Sequence, residues 1–512
     1  MKIFDKLDNI LIKKKITNSK FDDDKTYQDN NTDKEVKSSI HRRRRDENRE
    51  LGFITYFFLG LFVCMLVYLG LYTQFRSGDV INNPYNKRQQ LLESRIIRGD
   101  ILSSNGEKLA TTIYDNGEYK RQYPYGNLFS HIVGYSTHGV LGIESNQNFR
   151  LLECNDSIVN RISNDLSGER NHGDNIITSL NMDMQKAAYD ALGGRMGAVI
   201  AMNAKTGEIL AVVSKPDFDP NKINENWDNL NNENNNSPLL NRALLGSYPP
   251  GSTFKIVTAL EYLKEKGEDF REYDYDCTGS FSYKGSVINC YHGQLHGELD
   301  LNMSFAKSCN SSFANITSTF DKQSFYDTCD SLLFNKGLPL DLPHSKSRTT
   351  INIDSSTDEL LQTGIGQGKT LISPVHMCLI TAAIANNGLL MRPSIISQIK
   401  NNSGVAVKTN KPEIYGQLID SKSANLLQEL MRDVILYGTG SKLRNSHNYE
   451  AAGKTGSAEY LQADKSLSHA WFTGFGRDKN DTIVVTVLVE GGGSGGDTAV
   501  PIAKSVFDAY FD

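Results

Sequence analysis

The chain has 512 residues, a formal net charge of -5, and apolar and charged fractions of 39% and 22%. That length has room for roughly two to four domains, and the composition is that of a globular chain with a large core. The mild acidity lacks the basic patterning of a nucleic-acid binder. No short zinc-type spacing occurs either: C-x-x-C is absent, and His292 and His296 are each followed by a glycine, which disfavours a helix carrying both.

Residues 1–50 are polar, rich in Lys, Asp and Asn, and end in Arg42-Arg43-Arg44-Arg45. They are predicted to form a flexible tail, because they offer little apolar surface to bury. Residues 51–72 then carry no charge, and about 20 apolar residues suffice for a membrane-spanning helix. A core helix would keep a polar face. A signal peptide would have a shorter apolar region and a small-residue cleavage site, where this chain has Thr73-Gln74-Phe75-Arg76. Tyr56, Tyr68 and Tyr72 suit the two interfaces, and the arginine cluster before the span predicts a cytoplasmic tail and an exported remainder.

Residues 73–168 read as a small pedestal, with strand, Asn-Gly turn and strand over 98–110. Residues 169–512 mix helices and strands. Two strands flank Lys205-Thr206-Gly207 within 196–214, helices are predicted over 252–264, 374–385 and 424–437, and three strands follow over 450–459, 470–475 and 482–490. A last amphipathic helix opens at Pro501, and the Asn-rich run 231–236 reads as a surface loop. Strands at both ends with helices between predict an α+β domain whose sheet joins early and late segments. The seven cysteines are scattered. Cys277 and Cys290 bracket a hairpin-like stretch, as a disulfide or as two buried thiols.

The chemistry lies in three short motifs. In Tyr248-Pro249-Pro250-Gly251-Ser252-Thr253-Phe254-Lys255 a stiff extended lead-in meets a helix start, and Ser252 and Lys255 share a helix face. A serine hydroxyl needs a base to become a nucleophile, and Lys255 can be that base if burial lowers its pKa. Alone, S-x-x-K is weak: roughly two or three copies arise by chance at average residue usage. Ser304-Phe305-Ala306-Lys307 and Ser397-Gln398-Ile399-Lys400 also match but lack the Pro-Pro-Gly lead-in. In Ser308-Cys309-Asn310 a hydroxyl can relay a proton and an amide can bind substrate backbone. In Gly453-Lys454-Thr455-Gly456-Ser457-Ala458 a lysine and a hydroxyl suit a carboxylate, and Gly456 lets substrate approach the strand. Lys205-Thr206-Gly207 precedes Ser252 and reads as a hairpin turn.

The ordered set, with S-x-N about fifty residues after S-x-x-K and K-T-G well beyond, follows the penicillin-binding protein and β-lactamase pattern, with Cys309 where the triplet usually has Asp. Over nearly everything after the apolar span the chain resembles the class B penicillin-binding proteins, especially the short forms without C-terminal sensor repeats. Asn83-Pro84-Tyr85-Asn86 with Arg98-Gly99-Asp100-Ile101, Gly134-Tyr135, Gly142-Ile143-Glu144, Gly364-Ile365-Gly366-Gln367-Gly368, Ser373-Pro374 and His469-Ala470-Trp471-Phe472 look like further family signatures. Ser457 stands where Thr is commoner, which keeps the hydroxyl.

The resemblance implies an antiparallel sheet flanked by helices, as in serine β-lactamases, and a D,D-transpeptidase reaction needing no metal or other cofactor. Ser252 would attack a peptidoglycan stem peptide ending in D-Ala-D-Ala and pass the acyl group to an amine acceptor, with β-lactams as donor mimics. Lys255 would be the general base, Ser308 the proton shuttle, Asn310 the donor-orienting amide, and Lys454 with Thr455 the carboxylate site. The backbone N–H groups of Ser252 and Ser457 would form the oxyanion hole. A SEDS-type glycan polymerase is the implied membrane partner. A D,D-carboxypeptidase, a β-lactamase and a non-catalytic cell-wall scaffold are the rival readings.

Overall fold

The computed structural model describes residues 32–75, 95–137, 139–232, 235–462 and 465–512. The chain divides into two units, Met1–Val80 and Ile81–Asp512. Asn83-Pro84-Tyr85-Asn86 lies outside the described residues.

The first unit holds one helix, α1 (Thr32–Phe75), of 44 residues. Its stretch Leu51–Tyr72 has a mean hydropathy of 2.3. At the helical rise, 22 residues cover roughly 33 Å, matching a hydrocarbon layer about 30 Å thick. Its large side chains are exposed, with Phe53 and Tyr56 each at 75%, which is not the burial of a core helix. The helix starts well before the apolar stretch, so 32–50 are helical and not part of an unordered tail. Arg, Lys and Glu there are good helix formers, and extending an existing helix needs no new nucleus.

In the second unit a six-stranded sheet contains β1 (Ile101–Leu102), β2 (Lys108–Asp115), β3 (Glu118–Gln122) and β4 (Asn175–Thr178). The expected turn over 98–110 is present: Ile101 pairs antiparallel with Ala110. β4 lies parallel to β1, and the distant strands Ile396–Lys400 and Ala406–Thr409 complete the sheet beyond it. The pedestal therefore does not end at residue 168; β4 and a hairpin from far along the chain belong to its sheet. Beside it Glu144, fully buried, takes Nε bonds from Arg98 at 2.6 Å and Arg121 at 2.7 Å. Burial alone would raise its pKa, but the two guanidiniums hold it below the ordinary carboxylate value.

The second sheet has five antiparallel strands. They are β5 (Gly197–Asn203), β6 (Ile209–Lys215), β7 (Glu450–Gln462), β8 (Lys465–Arg477) and β9 (Thr482–Val489), in spatial order β7-β8-β9-β5-β6. Early and late strands meet at the β9–β5 pair, where Val487 faces Val199. β9 is Thr-Ile-Val-Val-Thr-Val-Leu-Val and buried throughout; β-branched residues fill a sheet covered on both faces. The helices that pack on this sheet or carry the site include α2 (Met182–Leu192), α3 (Lys255–Lys266), α4 (Leu301–Ala306), α5 (Asn310–Thr317), α6 (Pro374–Ala385), α7 (Ser421–Tyr437) and α8 (Val500–Phe511). Val199, Val485 and Val487 join α2 and α8 in one core, while Ile200, Val484 and Leu488 join α3, α6 and α7 in the other. Each such buried aliphatic side chain contributes roughly 1.5–3 kcal/mol. Every residue of α6 is buried; it starts with the Ser373 hydroxyl accepting from the His376 N–H, and Pro374 suits its first turn. Lys205-Thr206-Gly207 is the β5–β6 turn, with Gly207 at φ 82°.

Candidate active site

The serine motif sits where a stiff loop turns into α3. The Tyr248 hydroxyl donates to Glu490 at 2.7 Å, and the Trp471 indole donates to the Pro249 carbonyl at 3.0 Å. The Gly251 N–H donates to the Gly366 carbonyl at 2.9 Å, so the Gly-Gln-Gly segment fixes the turn from the other side. Gly251 has φ 54°, a left-handed conformation that favours glycine. A Cβ there would also lie 2.9 Å from the Ser457 carbonyl oxygen. The helix begins as a 3-10 turn, Gly251–Phe254, and becomes α-helical at Lys255. Ser252 thus stands at a helix N-terminus, where partial positive charge favours an oxyanion.

Lys255 is fully buried, and its Nζ is 3.0 Å from the Ser252 Oγ. It also bonds the Ser308 carbonyl at 2.7 Å, the Ser308 Oγ at 3.3 Å and the Asn310 Oδ1 at 2.7 Å. Burial lowers its pKa from 10.5 to about 8. Ser308, Cys309 and Asn310 form the junction between α4 and α5. Ser308 takes φ 58°, a strained state costing a non-glycine residue roughly 1–3 kcal/mol. That kink points Ser308 back at both lysines: the Lys454 Nζ donates to its Oγ at 2.8 Å. Cys309 caps α5, its sulfur accepting the Ser312 N–H at 3.4 Å.

Lys454, Thr455, Gly456 and Ser457 lie on β7, an edge strand. Lys454 is fully buried, and burial first, then the charge of Lys255, holds its pKa well below the ordinary value. A Cβ on Gly456 would meet Thr253 Cγ2 at 3.1 Å and the Thr253 nitrogen at 3.2 Å, so this glycine makes room for the serine turn. Ser252, Ser308, Asn310, Thr455, Gly456 and Ser457 all line one cleft of about 150 Å³. A larger hollow of 680 Å³, between Asn425 and Arg477, has no serine–lysine constellation.

Residues 197–508 match the family described as penicillin binding protein transpeptidase domain, which is more than half of the chain. The chain belongs to the penicillin-binding protein transpeptidase family. Residues 98–176 match the penicillin binding protein A dimerisation domain. The peptidoglycan D,D-transpeptidase PbpA of Mycolicibacterium smegmatis is 27% identical over 88% of this chain and 96% of its own length. Its Mycobacterium tuberculosis counterpart is 28% identical over 90% and 99%. The solved penicillin-binding protein A of M. tuberculosis, a ceftriaxone acyl-enzyme, superposes with a TM-score of 0.75 at 26% identity, covering 82% of this chain and all of that one.

The S-x-x-K, S-x-N and K-T-G segments meet at one cleft, and neither decoy serine lines it. Ser304 is buried and bonded by Ser312 at 2.7 Å, and Ser397 and Lys400 sit on a strand of the other sheet. Thr439 escaped the sequence reading: its Oγ1 is 2.5 Å from that of Thr455, yet only the glycines around it mark a helix end. Cys277 and Cys290 are two buried free thiols, their sulfurs 3.7 Å apart, and no disulfide. His296 and Cys309 join them within 4.8 Å. A search for short metal spacings passes over this group because its members come from four separate segments.

Proposed function

We propose that this protein is a peptidoglycan D,D-transpeptidase that cross-links stem peptides through an acyl-enzyme on Ser252 and is blocked by β-lactams. The observation that carries the reading is the Lys255 Nζ, buried with a lowered pKa, 3.0 Å from the Ser252 Oγ. Its kinship with the mycobacterial D,D-transpeptidases supports the same reaction.

In this scheme neutral Lys255 takes the Ser252 hydroxyl proton as Oγ bonds to the carbonyl carbon of the penultimate D-Ala. The oxyanion is held by the Ser252 and Ser457 N–H groups, and one such donor typically stabilises a transition state by about 3–4 kcal/mol. The C–N bond then breaks, and the leaving amine of the terminal D-Ala takes its proton through Ser308, which bridges Lys255 and Lys454. An acceptor amine attacks the ester, loses its proton to the same relay, and frees Ser252. Asn310 orients the donor backbone. Lys454 and Thr455, with Thr439 behind, receive the terminal carboxylate, whose negative charge favours the protonated lysine again.

We assign Leu51–Tyr72 as a single-pass anchor in the cytoplasmic membrane, with the N-terminus cytoplasmic and the catalytic part outside. The pedestal and span would meet a SEDS-type glycan polymerase; mild-detergent co-purification that recovers no polymerase contradicts that contact. Incubation with a stem peptide and an amine acceptor tests the reaction. Cross-linked product is expected. Release of D-Ala without cross-linking would favour a carboxypeptidase, and turnover of a chromogenic cephalosporin a β-lactamase.

A further inference from the structure

One helix of the pedestal lies open to solvent. Ile158–Ser167 is 10 residues long, and none of its side chains is buried. It is well capped: the Ser157 hydroxyl accepts the Asn160 N–H at 3.2 Å, and Gly168 ends it at φ 73°. Asn171 fastens it to the pedestal, accepting from the Asn164 Nδ2 at 3.1 Å and donating to Asp165 at 3.0 Å. Caps and two polar contacts are little support, because isolated helices shorter than about 12–15 residues are marginal in water.

The large apolar residues of the helix are Ile158, Val159, Ile162 and Leu166, exposed at 73%, 76%, 53% and 84%. At 3.6 residues per turn they fall within an arc of roughly 100°, with Asn164 on the opposite side. Arg161 and Asp165 stand at one edge of the arc and Ser163 at the other. The contact from Asn164 to Asn171 therefore leaves the aliphatic stripe facing outward. Just past the helix, the Arg170 guanidinium lies 4.9 Å from the centre of the Tyr119 ring, which lies 4.9 Å from that of Tyr114. Both tyrosines are exposed. Aliphatic side chains flanked by tyrosine and arginine make up segments that lie at a membrane–water interface, where the rings sit at the level of the head groups.

We propose that Ile158–Ser167 lies in the outer face of the cytoplasmic membrane, with its four aliphatic side chains among the acyl chains and Arg161 and Arg170 at the head groups. Size and reach decide the occupant. A helix face about 15 Å long and 10 Å wide is far smaller than the roughly 800 Å² each partner gives to a stable protein interface. Hot spots of such interfaces are also rich in Trp, Tyr and Arg and poor in Leu and Val, whereas this stripe is wholly aliphatic. A bilayer needs no matching surface. It is also always near: about two dozen residues separate Tyr72 from the first pedestal strand at Ile96, so the chain can carry the pedestal no more than about 85 Å from lipid. Tethering makes even a weak helix–lipid contact effectively intramolecular. The proposal rests on the reading of Leu51–Tyr72 as an anchor. It adds a second lipid contact, which sets the height and tilt of the pedestal over the membrane.

The test uses the full-length protein in phosphatidylethanolamine and phosphatidylglycerol vesicles whose acyl chains carry bromine at shallow or at deep positions. Val159→Trp puts a fluorophore on the stripe. Its added emission should shift to the blue and be quenched most by the shallow bromines, as for a face buried about 5–10 Å. Ile353→Trp, at an exposed position of the transpeptidase part, should stay unquenched. Adding Ile162→Asn and Leu166→Asn to Val159→Trp should abolish the quenching. Both positions are exposed, so the fold should survive, and fluorescent-penicillin labelling checks that it does. A Val159→Trp emission that is unquenched would overturn the proposal. So would a blue shift without lipid quenching, which would mean that a protein covers the stripe. Alkaline carbonate washing tests the anchor by itself. Protein that stays in the vesicles with Val159→Trp unquenched would lose the helix contact alone, whereas protein that washes away would overturn the anchor and the helix contact together.

Discussion

Burial of Lys255 makes a quantitative prediction about pH. The general base must be neutral to accept the Ser252 proton. Moving its pKa from 10.5 to about 8 raises the neutral fraction at pH 7 about 300-fold, to roughly one molecule in ten. The second-order rate of acylation by a slowly hydrolysed penicillin should therefore climb about tenfold per pH unit below 8 and level off above it, as for a free-enzyme base. The sign follows from the charge: below the pKa the ammonium has no lone pair, so activity is lost as pH falls. Lys255→Arg keeps the charge and removes the base, since a guanidinium does not deprotonate in this range. It should lower the rate by on the order of 10²–10⁴ and flatten the profile. Stopped-flow labelling across pH 6–9 measures both. A wild-type rate flat over that range, or an arginine variant as fast as wild type, would refute the reasoning.

Other consequences follow from the same geometry. Glu144→Gln removes the shared partner of two buried guanidiniums and should cost about 3–5 kcal/mol. It should show as a lower melting temperature; because the Glu144 pKa is depressed, the wild-type advantage holds above the unfolded value near 4.5 and fades as pH falls through the folded one. Gly251→Ala puts a side chain at φ 54° against the Ser457 carbonyl. A loss of about 1–3 kcal/mol in denaturant unfolding, together with slower acylation, is expected. Thr439→Val deprives Thr455 of its hydroxyl partner at 2.5 Å and should weaken substrate binding by about 0.5–1.5 kcal/mol, read as a higher KM with little change in kcat.

Much of the site was legible because its chemistry is local. Ser252 and Lys255 are one turn apart, and Lys454 to Ser457 lie on one strand, so short motifs in the right order located them before any fold was known. Pro374–Ala385 was readable for a related reason: Ser373-Pro374 starts it and Asn386-Asn387-Gly388 stops it. The rest depends on distant parts of the chain. The pedestal sheet borrows 396–409, which no local pattern assigns to it, so the boundary at residue 168 was misplaced. Thr439 reaches Thr455 only because α7 ends beside β7. The Cys277, Cys290, His296 and Cys309 group is assembled from three strand ends and a helix cap, and its wide spacings resemble no short ligand motif. The lowered Lys255 pKa was foreseeable only as a condition, since burial is a property of the packed core.

The most direct test of the central claim is fluorescent-penicillin labelling of membranes carrying the wild type or Ser252→Ala, read on a denaturing gel. A labelled wild-type band that disappears in the variant, at equal expression, is the predicted result. An unlabelled wild type, or label that survives in the variant, would contradict an acyl-enzyme on Ser252.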